Sequence, residues 1–178
     1  MPNTIARREL LKMASATLVG LTTGRLSGGL PRELVENVVN AEHWTPVFLN
    51  QQQDETVIGL TDLIIPRTDT PGAKDAKVNR YVDVFLAVKD TEEQKDFVAG
   101  LAGLDAHAKQ TYKKDFVSCT EKEQTDLLGR MERGNSGFFR QVKTLTSLIY
   151  FNTPEGYKEL NKFGPPKGVV AGTVVCET

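Results

Sequence analysis

An all-α domain is the fold class this sequence predicts, on three observations. Apolar residues recur at helical spacing along most of the chain from residue 54 onward. Hydroxyl-x-x-Glu/Gln pairs stand where two of those runs begin, the signature of a capped helix start. No apolar/polar alternation of convincing length occurs before Val169, so no sheet is expected beyond an optional C-terminal ribbon. The expectation is a small helical domain of about five helices, preceded by an extended N-terminal arm and followed by an irregular C-terminal tail. A length of 178 residues suits one such core, and 39% apolar with 25% charged residues excludes a collagen-like, coiled-coil or wholly disordered chain.

The first predicted helix has Asp54 as its cap and runs through Ile65, with Val57, Leu60 and Ile64 on one face and Ile58 and Leu63 beside it. Pro66 stops it, since proline has no amide to donate and clashes with the preceding turn. Residues 67–72 read as a turn in which Asp69 bonds nearby backbone, Pro71 fixes φ and Gly72 tolerates φ > 0. Residues 78–89 form the second helix, with Tyr81, Val82, Phe85, Leu86 and Val88 as its apolar stripe. The boxes Thr91–Gln94 and Thr120–Glu123 open the next two. The former carries Phe97, Leu101, Leu104 and Ala108 through about Tyr112; the latter carries Leu127, Leu128 and Met131 and ends near Gly134. Residues 137–151 are the most apolar helix, with Phe138, Phe139, Val142, Leu145, Leu148 and Ile149. Thr153-Pro154 ends it and caps a final turn reaching Phe163.

The N-terminus reads as an address rather than as fold. Arg7-Arg8-Glu9-Leu10-Leu11-Lys12 leads into the uncharged, weakly apolar stretch 13–21, the architecture of an export signal. The segment resembles the twin-arginine signal, which admits proteins already folded; Arg7, Arg8, Leu10, Leu11 and Lys12 carry the match, with Ala6 and Leu10 where Ser/Thr and Phe are usual. An amphipathic helix starting with Arg-Arg is the plainer alternative, but residues 17–23 leave no charge on its solvated face. Residues 1–41 are thus taken as signal and linker and 42–178 as the helical domain. The leader has a charge balance of +2 and the body one of −3.

Two segments exceed the needs of a self-sufficient bundle: the arm around Trp44 and Phe48, and the valine-rich tail ending in Val174, Val175 and Cys176. Burying a large apolar side chain contributes about 1.5–3 kcal/mol, so free arms of this kind are wasteful in water. Either both wrap this chain's own core, or they lie along another subunit together with Phe138 and Phe139. Cys119 and Cys176 can pair with each other in an oxidising compartment, or Cys176 can bridge to a partner; only geometry decides.

Catalytic equipment is sparse. His43 sits in the arm, and His107 lies in a helix with no E-x-x-H companion, so a di-metal bundle site is not expected. Dinucleotide-binding, phosphate-loop and covalent-haem motifs are missing. Gly100-Leu-Ala-Gly103 is a small-residue face suited to close helix packing. A net charge of −1 without a basic run gives no footprint for nucleic acid. No stretch approaches the ~20 uncharged apolar residues of a membrane span. No catalytic, cofactor-binding or metal-ligating residue is assigned.

Residues 60–78, reading LTDLIIPRTDTPGAKDAKV, closely resemble the hallmark stretch of the gluconate 2-dehydrogenase subunit 3 family. The likeness continues through FVAGLAGLD (97–105), FFRQVKTLT (138–146) and YFNTPEG (150–156), and covers about Trp44 to Gly168. The resemblance implies a cofactor-free small subunit of a periplasmic, membrane-associated sugar or sugar-acid dehydrogenase. Its large partner would hold FAD and be similar to the glucose-methanol-choline oxidoreductases, often with a c-type cytochrome as third subunit. It also implies that this chain's twin-arginine signal engages the twin-arginine translocase and exports the folded flavoprotein as a passenger, which explains an export signal for folded cargo on a chain with no cofactor motif. Two alternatives stay open: a signal-anchored periplasmic scaffold for another partner, and a stand-alone exported enzyme.

Overall fold

The computed structural model describes residues 39–162, with side chains to residue 159; the arginine signal and the valine-rich tail lie outside the described residues. Among the described residues, six α-helices and one 3₁₀ turn follow in order: α1 (Gln51–Ile64), α2 (Val78–Ala87), α3 (Thr91–Tyr112), the turn Phe116–Ser118, α4 (Glu121–Arg133), α5 (Gly137–Asn152) and α6 (Pro154–Lys162). No strand occurs among the described residues. None of the described helices is long and apolar enough to cross a membrane.

Helix starts follow the chemistry of orphan amides, with two corrections to the sequence reading. Asn50, not Asp54, caps α1: its side chain accepts from the Gln53 amide while the Gln53 side chain accepts from the Asn50 amide, each at 2.9 Å. This box lies one turn upstream and satisfies two donors, so it outcompetes Asp54, which turns inward instead. Asp90, not Thr91, caps α3, accepting from the Glu93 amide. The Gln94 side chain is thereby freed to donate to the Leu86 and Lys89 carbonyls, tying α3 to the end of α2. The Thr120–Glu123 box forms as expected at α4, and Gly134 ends that helix. Ser136 caps α5 by accepting from the Phe139 amide.

Among the described residues the core is one main apolar cluster with a small second cluster beside α2. Phe97, Leu101, Leu104 and Ala108 of α3 all face it, as their spacing requires. Leu60 and Val57 of α1, Val78, Val82 and Leu86 of α2, Phe116, Leu127, Leu128, Phe139, Val142 and Leu145 close around them. The expected stripe on α2 is wrong in part: Phe85 and Val88 are exposed, at 39% and 36%, whereas Asp83 is fully buried. The physical reason is that α2 is covered on two sides. Val78, Val82 and Leu86 meet the bundle, while Val84 and Tyr81 meet Val39, Trp44 and Val47 of the arm. Trp44, Val47, Phe48 and Leu49 of the arm thus pack against this chain's own helices.

Candidate functional site

Three constructions position the side chains from which a function can be argued. The first is the loop between α1 and α2. The Ala73 amide donates to the Ile65 carbonyl at 2.8 Å and the Val78 amide to the Ala73 carbonyl at 3.0 Å, folding residues 65–78 into a knot. Arg67 clamps Asp75 with two hydrogen bonds, Nε to Oδ2 at 2.7 Å and Nη2 to Oδ1 at 2.5 Å, and Asp75 Oδ2 also accepts from the Gly72 amide. Gly72 is required here by space rather than by positive φ: a Cβ would stand 2.6 Å from the Arg67 amide nitrogen. Asp69 accepts from the Thr68 hydroxyl, and it is Asp75 that bonds the loop backbone, the role expected of Asp69. From 79 residues away the Tyr150 hydroxyl donates to the Pro71 carbonyl at 2.5 Å. Two of the hallmark stretches thus meet in one hydrogen bond.

The other two meet as well. Phe138 occupies the space that a side chain on Gly100 would fill, at 2.0 Å from the missing Cβ, and stacks edge-on against Phe97 with ring centroids 5.6 Å apart. Gly100 is therefore a socket for Phe138, the close packing its spacing suggested, whereas a Cβ on Gly103 would meet no other group. Gly156 allows α6 to approach the Tyr150 carbonyl, where a Cβ would stand 2.1 Å away. The hallmark residues in these contacts serve the scaffold.

The second construction is the arm on α2. Asp83, fully buried, accepts from three consecutive amides: Val47 at 2.6 Å, Phe48 at 3.0 Å and Leu49 at 2.7 Å. Burial nevertheless pushes its carboxyl above the ordinary aspartate value, with the three amides pulling the other way. Asp54, bonded to the Asn79 side chain at 2.9 Å, is likewise raised by burial first, helped by the nearby Asp83 charge. Arg80 donates to the Val39 and Ala41 carbonyls and lies over the Trp44 ring, 5.3 Å from its centroid. The sequence reading missed Asp83. The available signal was an acid set among Val82, Val84 and Leu86.

The third is the outer face of α5 and α6. Leu148 and Tyr157 are 61% and 60% exposed and Phe151 is 40% exposed. Lys143, Thr144, Ser147, Leu148, Phe151 and Asn152 line an open hollow of about 530 Å³. These large exposed apolar groups lie together on one face, the kind of patch that interaction surfaces carry.

The remaining expected residues fall elsewhere. Phe139 is buried, Phe138 is half-buried in its socket, and Trp44 and Phe48 pack on this chain's own helices. Cys119 is buried and unbridged among the described residues, its thiol pushed up by burial; Cys176, Val174 and Val175 lie outside them. His43 is exposed, and His107 lines a groove of about 490 Å³ with Gln110, Thr111, Leu127, Arg130, Met131 and Ser136. Arg130 there is already paired with Asp126 at 2.8 Å. No cluster of three metal-ligating side chains occurs among the described residues.

Residues 51–166 match the family profile described as Gluconate 2-dehydrogenase subunit 3. The chain belongs to the gluconate 2-dehydrogenase subunit 3 family. Comparison with curated proteins and with solved structures returned no match. The family match begins at the first residue of α1 and includes the knot, the Phe138 socket and the exposed α5–α6 face. The arm on α2 precedes it.

Proposed function

We propose that this chain is the non-catalytic small subunit of a periplasmic, FAD-dependent sugar or sugar-acid dehydrogenase, and that it escorts and stabilises the flavoprotein subunit. The observation that carries the reading is membership of a family named for a dehydrogenase subunit, over nearly the whole helical body. The exposed Leu148, Phe151 and Tyr157 support it by offering an apolar surface for a large partner. A partner that binds only the folded subunit also stabilises it by mass action. Flavin and hydride chemistry reside in the partner, with a c-type cytochrome as a further subunit in complexes that carry one. Arg7 and Arg8 direct the assembled pair to the twin-arginine translocase.

The test is co-expression of the flavoprotein with an Arg7→Lys/Arg8→Lys chain. Both subunits should stay in the cytoplasm, and periplasmic dehydrogenase activity should vanish. Unchanged periplasmic activity refutes the escort role. In parallel, Leu148→Ser/Phe151→Ser should abolish co-purification of the yellow flavoprotein with a tagged small subunit; undiminished flavin absorbance would place the interface elsewhere.

A further inference from the structure

Residues 39–49 have no regular secondary structure beyond a single helical residue, and among the described residues no backbone–backbone hydrogen bond joins them to the helices. Side chains from one side of α2 and its entry hold them instead. Lys77 Nζ donates to Asn40 Oδ1 at 2.9 Å, Arg80 donates to two carbonyls, and Asp83 accepts from three amides. These three residues stand three positions apart, so they climb one flank of the helix. Donors grip the first part of the segment and the acceptor grips the last.

The grip is weakly built for its size. The Trp44 indole N–H is buried with no hydrogen-bond partner among the described residues, an arrangement that costs about 1–3 kcal/mol. Asp83 surrenders its hydration to hold the segment, and its three amides do not fully offset that loss. The apolar contact beneath residues 39–47 is small: Val39 and Val84 form their own cluster, separate from the main core, with Trp44, Val47 and Tyr81 around it, and it is Phe48 and Leu49, at the end next to α1, that reach the main core.

We propose that residues 39–49 form a strap that docks on α2 and releases as a unit while the helical body stays folded, with Asp83 as its latch. The strap joins the body to residues 1–38, so its docking sets where the arginine leader departs from the folded subunit. This inference stands independently of the proposed dehydrogenase partner, because it concerns only the chain's own helix and arm.

Trp44 is the single tryptophan, so its emission reports the strap alone. In urea titrations of the full chain, the Trp44 transition should come at lower denaturant than the loss of helical circular dichroism. Asp83→Asn turns an acceptor oxygen into an NH₂ facing amides. It should red-shift Trp44 emission at constant helix content and speed chymotryptic cleavage after Trp44 and Phe48 by about tenfold, since cleavage follows the open population. Arg80→Gln should act in the same direction and more weakly. Coincident transitions in the unmodified chain, unchanged cleavage in both variants, or loss of helix in Asp83→Asn would each overturn the strap: strap and bundle would then be one cooperative unit.

Discussion

The knot at residues 65–78 and the strap at residues 39–49 are both irregular segments pinned by an aspartate that accepts backbone amides, yet they are built on opposite principles. The knot is closed by its own backbone bonds, by a glycine with no room for a Cβ, and by an exposed Arg67–Asp75 pair. The strap has no such internal closure and is held by a buried Asp83 and by Arg80. Asp75, beside Arg67, is held below the ordinary aspartate value, whereas burial drives Asp83 above it. The same residue type thus stabilises one loop by its charge and holds the other at the expense of its charge. Surroundings, not identity, set the sign.

The largest effect that can sharpen this contrast belongs to the knot. Gly72→Ala forces a Cβ against the Arg67 backbone and should cost about 3 kcal/mol, read as a lowered thermal midpoint of the helical circular dichroism. An unaltered midpoint would mean the loop opens freely and is no knot. Tyr150→Phe removes the bond to the Pro71 carbonyl and should cost about 1 kcal/mol in urea unfolding; no loss at all would make that link incidental.

The pH series is smaller and tests the sign directly. Asp75 contributes stability that is complete above the ordinary carboxylate value and fades as pH falls through that value toward its lowered one. Asp83 behaves inversely: its contribution is complete below the ordinary value and is lost as pH rises toward its raised one. Between about pH 7 and pH 3, the stability gap between the unmodified chain and Asp75→Asn should narrow on acidification, while the gap to Asp83→Asn should widen. Parallel slopes would erase the contrast. Smallest of all is the loss of urea midpoint in Asp75→Asn at neutral pH, because its Arg67 partner is 71% exposed and the pair is screened by water.

Most of the helical frame was legible because burial and periodicity coincide in it. Phe97, Leu101, Leu104 and Ala108 line one face of a helix with the bundle on one side, so their spacing determines their fate. Thr120 and Glu123 were readable because no better cap stands before them. Asp54 misled because the Asn50–Gln53 box just upstream satisfies two orphan amides, and Thr91 misled because Asp90, one residue earlier, takes the Glu93 amide while Gln94 bonds the end of α2. The face of α2 was misread for a different cause. A second covering layer, supplied by residues 39–49, buries Asp83, and periodicity records how often a helix is covered but not by what. Leu148, one of the apolar residues that mark α5 in the sequence, is exposed on a face it shares with Lys143, Thr144 and Asn152, because being apolar does not fix which side of a helix a residue occupies. The hallmark stretches named the family, but the pairing of Tyr150 with Pro71 and of Phe138 with Gly100 needed three dimensions.

The Tyr150–Pro71 bond also bears on the order of events during synthesis. The early loop receives its last fastening from a residue made 79 positions later, so a nascent chain carrying α1 to α4 alone holds an unfinished turn. Completion waits for α5 to leave the ribosome, and until then the first half of the body remains open to inspection by whatever cytoplasmic factors greet it.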